Sequence, residues 1–475
     1  MNRRPDKEYL QRMKYVVSDW LTAALAFFIF NVCRYYLLND GGLNHEDFIS
    51  FILSPKVIGE EILVPFVMLG VYWLSGYYNH PYGKSRLEEF ITTFISACVN
   101  TVWIYLVLLI NDLTGMRRVN YELIIILWGI MFILTYAGRF FITFRARLHF
   151  KKKQWKFRTL VIGNSAEARH TAKTLMEDSI REGYEIVGFV SLPDEVNVED
   201  ELSIPEGTDF AGFCKEMCID QLVIAPQNRN DSKVLNILYR FISLNLPIKI
   251  APDTLSFLTS SIRLKDIFAE PFIDLSSPVL SDSASNIKRV CDVLISIVML
   301  TVFSPVLLWA AIGVARSSEG PIFYRQERIG RRQKPFRIIK FRTMWDNAEK
   351  DGPSLTADTD SRITPFGTIL RKYRIDELPQ FWNVIKGEMS IVGPRPERAY
   401  FIEQIVRKAP YYALLCQVRP GITSWGMVKY GYASSVAQMV ERTRYDLIYL
   451  SNMSLFIDIK ILIYTVRTIL RGEGK

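Results

Sequence analysis

Histidine is scarce in this sequence and missing from its last 200 residues; the four copies are His45, His80, His149 and His170. That absence removes Ser-His and Cys-His nucleophiles and histidine-ligated zinc from the C-terminal region. Cysteine is sparse too. The six copies, from Cys33 to Cys416, are too scattered for a disulfide scaffold, which leaves a reducing compartment as the default for the soluble parts. A dinucleotide fingerprint is missing as well: Gly163-Asn164-Ser165-Ala166-Glu167-Ala168 keeps only the first glycine, and without the second, backbone cannot approach a pyrophosphate closely. Acidic residues are outnumbered, 49 against 58 Lys+Arg, for a net charge of +9. The balance points to an anionic partner: nucleic acid, membrane lipid or a phosphorylated small molecule. No helix-turn-helix or zinc-finger pattern supports nucleic acid, and the basic residues sit beside apolar segments.

What the chain has in excess is apolar sequence, 49% of its 475 residues, in a length suited to two to four domains. Four runs, roughly Val16–Leu38, Ile62–Tyr78, Phe90–Ile110 and Leu123–Phe144, each approach the ~20 residues a helix needs to cross a bilayer. A signal peptide competes for the first run, but Ala24-Leu25-Ala26 lies inside the run instead of after it, which favours an anchor. Five basic residues precede the first span and eight lie between Arg139 and Arg158, so both ends of the bundle face the cytoplasm. Asp19 and Asn31, inside the first span, are expected to make inter-helix hydrogen bonds.

After the basic linker, strands at 159–163, 184–190, 221–225 and 248–251 alternate with helical stretches, including amphipathic 232–245. This is the pattern of a parallel α/β domain over residues 157–255, and its broken glycine turn favours a structural or regulatory role. A fifth apolar run, Val293–Val314, has Lys288-Arg289 before it and nine basic residues against two acids between Arg316 and Arg342. Positive charge on both sides places both ends in the cytoplasm. Pro305 breaks the helix near its middle and the Ser304 hydroxyl can satisfy a freed carbonyl, so the run reads as a re-entrant hairpin over residues 290–315.

Chemistry in the C-terminal region rests on carboxylates, lysines and arginines. Asp358-Thr359-Asp360 has the DxD spacing of divalent-metal sites, but no strand precedes it and it reads as a solvated turn. In Arg374-Ile375-Asp376-Glu377-Leu378-Pro379-Gln380, Asp376 reads as a helix N-cap with Pro379 in the first turn, and Ile375, Leu378, Trp382 and Ile385 trace one apolar face. Alone, this is an ordinary capped helix. Its surroundings add to it: the alternation of Phe336–Phe341 suggests a strand with Lys340 and Arg342 on one face. Gly393-Pro394-Arg395-Pro396 is a rigid turn presenting an arginine, the side chain best shaped for bidentate phosphate binding. Carboxylates among cations beside a membrane segment fit a polyanionic substrate, a divalent ion and a lipid partner.

The segments Lys340-Phe341-Arg342-Thr343-Met344, Asp376-Glu377-Leu378-Pro379-Gln380-Phe381-Trp382-Asn383-Val384, Met389-Ser390-Ile391-Val392-Gly393-Pro394-Arg395-Pro396 and Arg419-Pro420-Gly421-Ile422-Thr423 occur in order over residues 285–475. They resemble the bacterial sugar transferase family, the monotopic phosphoglycosyl transferases. The N-terminal part is similar in architecture to long-form members that start capsule, exopolysaccharide or O-antigen assembly. The resemblance implies a multidomain protein of the bacterial inner membrane: a four-helix transmembrane bundle (1–150), a Rossmann-like α/β domain (157–255) and a mainly α-helical catalytic domain (285–475) carrying the re-entrant hairpin, with N-terminus and catalytic domain cytoplasmic.

It further implies transfer of a sugar 1-phosphate from a nucleoside diphosphate sugar, a UDP-sugar, to undecaprenyl phosphate, with release of UMP. Asp376 would be the nucleophile of a covalent intermediate and a ligand of the required Mg²⁺. Glu377 would position ligands or take a proton from the lipid phosphate. Lys340, Arg342, Pro394 and Arg395 would form the phosphate site, Ser304 and Pro305 the hairpin break, and a homodimer is a family-level expectation. The chain departs from the family at Ser424, where many relatives have glycine, and Lys429 is the candidate replacement for a later arginine. The C-terminal stretch Leu447–Leu470 reads as a soluble or interfacial helix pair. A membrane-anchored nucleotide-sugar dehydratase or epimerase would need the intact glycine fingerprint and a Tyr-x-x-x-Lys pair, and no lysine has a tyrosine four residues before it. A non-enzymatic membrane sensor would leave the polar constellation after residue 320 without a purpose.

Overall fold

In the computed structural model, residues 4–40, 47–82, 84, 86–109, 117–151, 156–177, 184–192, 198, 202–205, 208–225, 231–244, 246–250, 273–274, 280–345 and 360–470 are described. The chain divides into two units, Met1–Ala225 with Thr254–Ile273, and Pro226–Asp253 with Asp274–Lys475.

In the first unit the apolar runs form the helices Arg4–Asp40, Pro55–Leu74, Arg86–Ile104 and Arg117–Lys151. Each contains a segment long and apolar enough to cross a membrane. The first helix, 37 residues, is about 55 Å long at 1.5 Å per residue and so extends beyond the ~30 Å hydrocarbon core. The bundle buries Tyr15, Phe27, Phe30, Met68, Leu127 and Met131, while Leu21, Ile62, Ile125 and Ile133 stay exposed on its outside. Asp19 and Asn31 make inter-helix bonds: Arg139 Nη2 donates to Asp19 at 2.7 Å, and Asn31 Nδ2 to Glu61 at 3.3 Å.

The same unit contains parallel strands in the order Ser203–Ile204, Tyr184–Val190, Phe157–Ile162 and Gln221–Ile224. The turn after Phe157–Ile162 is closed on itself. Gly163 takes φ of 122°. Buried Asn164 donates to Ser191 Oγ, Val198 O and Ser203 Oγ at 2.8–3.2 Å, and accepts from Arg169 on the helix Ala166–Glu177. Side chains of the chain itself therefore bridge this turn.

Residues 226–253 fall within the second unit. There the helix Asp231–Phe241 and the 3₁₀ turn after it put Tyr239 and Ile242 against Phe401, Ile405, Tyr412 and Met439. The fifth apolar run forms two arms, Asp282–Val302 and Ser304–Ser317, bent by 63°. Pro305 stands in the first turn of the second arm, where its missing N–H costs nothing, and the Ser304 hydroxyl donates to Thr301 O at 2.8 Å. Val298, Val302, Leu308 and Trp309 around the bend are exposed.

Both arms are fixed to the same globular part at their far ends. Lys288 pairs with Asp458 at 2.7 Å, and Ser390 Oγ donates to Asp292 at 2.6 Å; at the other end Ala310 and Val314 pack on Phe341 and Leu370. The remainder is mainly α-helical. Among its described residues it holds an antiparallel hairpin, Phe323–Ile329 with Pro335–Phe341, and the parallel pair Ser390–Val392 and Gly421–Thr423. The C-terminal stretch is a helix pair, Val436–Ser451 and Leu455–Leu470, with an exposed apolar row of Phe456, Ile459, Ile463 and Val466.

Candidate active site

Strand Pro335–Phe341 buries Phe336 and Ile338, and period-2 alternation sends Lys340 out on the same face. Lys340 Nζ reaches Glu377 Oε1 at 2.7 Å. Asn383 joins this strand to the segment of the dyad: its Nδ2 donates to Arg337 O at 2.8 Å, and its Oδ1 accepts from Ile339 N at 3.1 Å.

The chain enters the dyad through the helix Pro365–Lys372, whose first turn is capped by Thr364 accepting from Gly367 N at 3.0 Å. A Cβ on Gly367 would lie 2.2 Å from the Thr343 carbonyl oxygen. Gly367→Ala is expected to force this helix off the strand and cost about 1–3 kcal/mol. The check is the thermal unfolding midpoint of the solubilised protein, and an unchanged midpoint would refute the close approach.

Arg374 then takes the left-handed region at φ 54°, the 3₁₀ turn Ile375–Glu377 follows, and the helix Gln380–Lys386 begins after Pro379. Asp376 is not the N-cap anticipated from the pattern. Arg374 precedes the 3₁₀ turn and Pro379 the α-helix, neither with a side-chain cap. A turn of three residues instead of 3.6 also shifts the helical phase, so Phe381 and Val384 are buried and Trp382, expected inside, is 50% exposed. Released from capping, Asp376 sits buried beside Glu377.

Three cations converge on Glu377: Lys340 and Arg395 on Oε1, the latter at 3.4 Å, and Arg374 on Oε2 at 3.3 Å. Burial works to raise the Glu377 carboxyl, but Lys340, Arg395 and Arg374 outweigh it and hold the group well below the usual carboxylate range. The Asp376 carboxyl moves the opposite way. Burial first, then the charge of Glu377, push it up to about 6 against Lys340, Arg371 and Arg374. The two carboxyls thus form an interacting pair, with Glu377 the fixed anion and Asp376 the titrating member.

Arg395 is aimed at Glu377 by its turn. Gly421 N donates to Pro394 O at 2.9 Å and Gly393 N to Thr423 O at 3.1 Å, and a Cβ on Gly421 would lie 2.2 Å from Gly393 N, so the two backbones can approach only without side chains. Pro394 therefore shapes the turn. Behind it, Glu397 accepts from Arg328 and Arg442. Asp446 accepts from Gly426 N at 2.8 Å; burial raises it to about 6 against the backbone hydrogen bonds of Gly426 and Arg395.

The structure thus brings together Lys340, Asp376, Glu377 and Arg395. It places Arg342 elsewhere: both terminal nitrogens donate at 2.6 Å to Ser318 O and Pro321 O, anchoring the chain as it leaves the second arm. Lys429 lies 5.1 Å over the rings of Trp425 and Tyr464. Asp360 is paired with Arg362 at 2.6 Å, in keeping with a turn, and Asp358 lies outside the described residues. Sequence reasoning missed Arg371, Arg374 and Tyr432. Arg374 stands two residues before Asp376 and was open to notice. Tyr432, whose ring lies 5.1 and 5.4 Å from the guanidiniums of Arg374 and Arg395, has no local signal.

No group of three or more His, Cys, Asp or Glu able to hold a metal occurs among the described residues. A hard cation such as Mg²⁺ does not require one, since it takes one or two carboxylates and fills its remaining positions with substrate phosphate and water. With both Glu377 oxygens paired to cations and no ion pair to Asp376 among the described residues, Asp376 is the donor that fits.

Residues 283–472 match the family model described as bacterial sugar transferase, and residues 74–252 one described as CoA-binding domain. The chain is 40% identical over 191 residues to a UDP-glucose:undecaprenyl-phosphate glucose-1-phosphate transferase of Caulobacter vibrioides, covering 39% of this chain and 71% of the relative. The chain belongs to the bacterial sugar transferase family. Another relative in the family, the UDP-N-acetylgalactosamine-undecaprenyl-phosphate N-acetylgalactosaminephosphotransferase of Aeromonas hydrophila, is 42% identical over 200 residues, 42% of this chain and 47% of its own; the match thus spans about half the length of that relative. The UDP-galactose-lipid carrier transferase of Erwinia amylovora is 26% identical over 443 residues, 88% of both chains. Every residue of the Lys340–Asp376–Glu377–Arg395 cluster of this sugar transferase lies inside the matched stretch 283–472.

Proposed function

We propose that the chain transfers a sugar 1-phosphate from a UDP-sugar to undecaprenyl phosphate, releasing UMP, as the first membrane step of surface-polysaccharide synthesis. The observation that carries this reading is the buried Asp376–Glu377 pair, ringed by Lys340, Arg371, Arg374 and Arg395. Four cations facing two carboxylates leave an excess of about two positive charges, a match for a diphosphate. An ionised Asp376 oxygen attacks the sugar-bearing phosphorus; the bond to the UMP oxygen breaks and its electrons leave with UMP. The lipid phosphate oxygen then attacks the same phosphorus, giving the undecaprenyl diphosphate sugar and restoring the Asp376 carboxylate. Lys340, Arg374 and Arg395 stabilise the charge that collects on the phosphoryl oxygens, and Glu377 holds all three in place. Mg²⁺ bound at Asp376 would supply further charge neutralisation and orient the diphosphate.

The bent arms suit the acceptor. Because the outer ends of both arms are bound to one globular part, a re-entrant hairpin on the cytoplasmic side is the reading we favour, in an inner membrane with N-terminus and active site facing the cytoplasm. The names of the relatives include N-acetylgalactosamine, glucose and galactose, so the donor sugar is a matter for assay. Purified membranes given Mg²⁺, undecaprenyl phosphate and each UDP-sugar in turn are expected to release UMP with at least one donor. Release with none would refute the function.

Tyr432 should act through the arginines it supports. Tyr432→Ala is expected to lower kcat/KM by roughly 3- to 30-fold, the equivalent of one or two partly buried cation–π contacts, with Tyr432→Phe close to wild type. Equal losses in the two variants would point to the hydroxyl instead of the ring.

A further inference from the structure

Helix Arg86–Ile104 is turned inside out relative to a soluble helix. Leu87, Phe90, Phe94, Val99 and Val102 are exposed on its outside, whereas Glu89, Thr93, Ser96, Asn100 and Thr101 are buried in the bundle. Apolar residues outside suit lipid, but a polar interior needs partners of its own. At the end nearer the basic flanks most partners are present, Glu89 Oε2 being the exception. Arg139 donates to both oxygens of Asp19 and to Thr93 Oγ1, Tyr78 donates to Asp19, and Glu89 Oε1 accepts from Tyr77 and Thr143. That end is tied shut by inter-helix bonds.

Towards the other end the accounting fails. Asn31 Oδ1, Ser96 Oγ and Thr101 Oγ1 are buried with no hydrogen-bond partner, and of the two amide atoms of Asn100 the Tyr72 hydroxyl can serve only one. Their residues are 0%, 1%, 4% and 0% exposed. Beyond them lie the Asn31–Glu61 bond and the Arg34–Glu60 pair at 3.4 Å. Inter-helix bonding accounts for Asn31 Nδ2, which donates to Glu61, and for one contact of Asn100 with Tyr72, but not for the remaining atoms. Groups of this kind inside a protein are ordinarily satisfied by internal water, each molecule taking two to four polar partners.

We propose that the bundle encloses a hydrated polar cavity at Asn31, Ser96, Asn100 and Thr101, holding water and small hydrogen-bonding solutes. It is closed towards the basic end by the Asp19–Arg139 pair and reached from the opposite end, past Arg34 and Glu60. The cavity is separate from the transfer chemistry and stands whether or not that chemistry is as described.

The test uses the full-length protein with its six cysteines replaced, carrying Ser96→Cys, Asn100→Cys or, as a lipid-facing control, Val99→Cys, in sealed vesicles of both orientations. The probe is Ag⁺, small enough to follow water, read as protection of the thiol from maleimide labelling after denaturation. Cysteine reacts as thiolate, which forms only where water reaches it. From the face opposite the basic flanks, Ser96→Cys and Asn100→Cys are expected to react at least about tenfold faster than Val99→Cys. Rates equal to the control from both faces, with full labelling after denaturation, would overturn the cavity. Reaction from the basic face alone would overturn the closure at Asp19–Arg139.

Discussion

Asp376→Asn is expected to lower UMP release by about 10⁴-fold or more, the scale of losses when a nucleophile is removed from a site that acts as a unit. The substitution keeps the size of the side chain and removes only its charge and nucleophilicity, so the fold should survive. In the wild type the same residue sets the acid limb of the reaction. Before Mg²⁺ binds, burial and the Glu377 charge raise the Asp376 carboxyl to about 6, so protons compete with the metal there as pH falls through 6, and kcat/KM at limiting Mg²⁺ should drop up to about tenfold per unit below it. An unperturbed aspartate would place that fall near 4. The donor half-reaction, without lipid acceptor, is the assay to use, because the acceptor phosphate itself titrates in this range. A flat profile down to pH 5 would contradict the assignment.

Glu377→Ala should be the most damaging change to stability within the site. It leaves Lys340, Arg374 and Arg395, each less than a fifth exposed, facing one another without their shared anion. Breaking a buried pair by removing one partner costs about 3–5 kcal/mol, which denaturant unfolding of the solubilised enzyme would register. Glu377→Gln retains the shape and isolates the electrostatics. With the neighbouring negative charge gone, the Asp376 carboxyl is no longer raised by it, so the acid limb of the residual activity should move below pH 6. A limb that stays at 6, or moves higher, would mean that the two carboxyls are not coupled as described.

Much of this arrangement was legible in the sequence, for physical reasons that differ by element. The four long apolar helices follow from run length, because a bilayer requires about 20 apolar residues whatever lies next to them. The bend at Ser304-Pro305 follows from the missing proline N–H, and the strand Pro335–Phe341 from its period of two. Lys340 and Arg395 could be placed near the dyad because each sits on a rigid element close to it. The local conformation of the dyad was not legible: capping statistics favour Asp376 at a helix start, whereas Pro379 delays the helix and leaves a 3₁₀ turn. Nor was the fate of Arg342, since strand alternation fixes the face of a side chain but not whether backbone carbonyls from residues 318–321 will claim it. Tyr432 joins the site only through tertiary packing, 55 residues beyond Glu377.

The proposed transfer turns on passage of a phosphoglycosyl group through Asp376. Purified enzyme should be mixed with Mg²⁺ and a donor UDP-sugar but no lipid acceptor, and UMP and intact protein mass followed together. A burst approaching one UMP per enzyme is expected, with a mass gain equal to one sugar phosphate located on Asp376 and loss of that mass when undecaprenyl phosphate is added. Turnover with the acceptor, but neither burst nor mass gain without it, would contradict a covalent Asp376 intermediate and make the transfer direct.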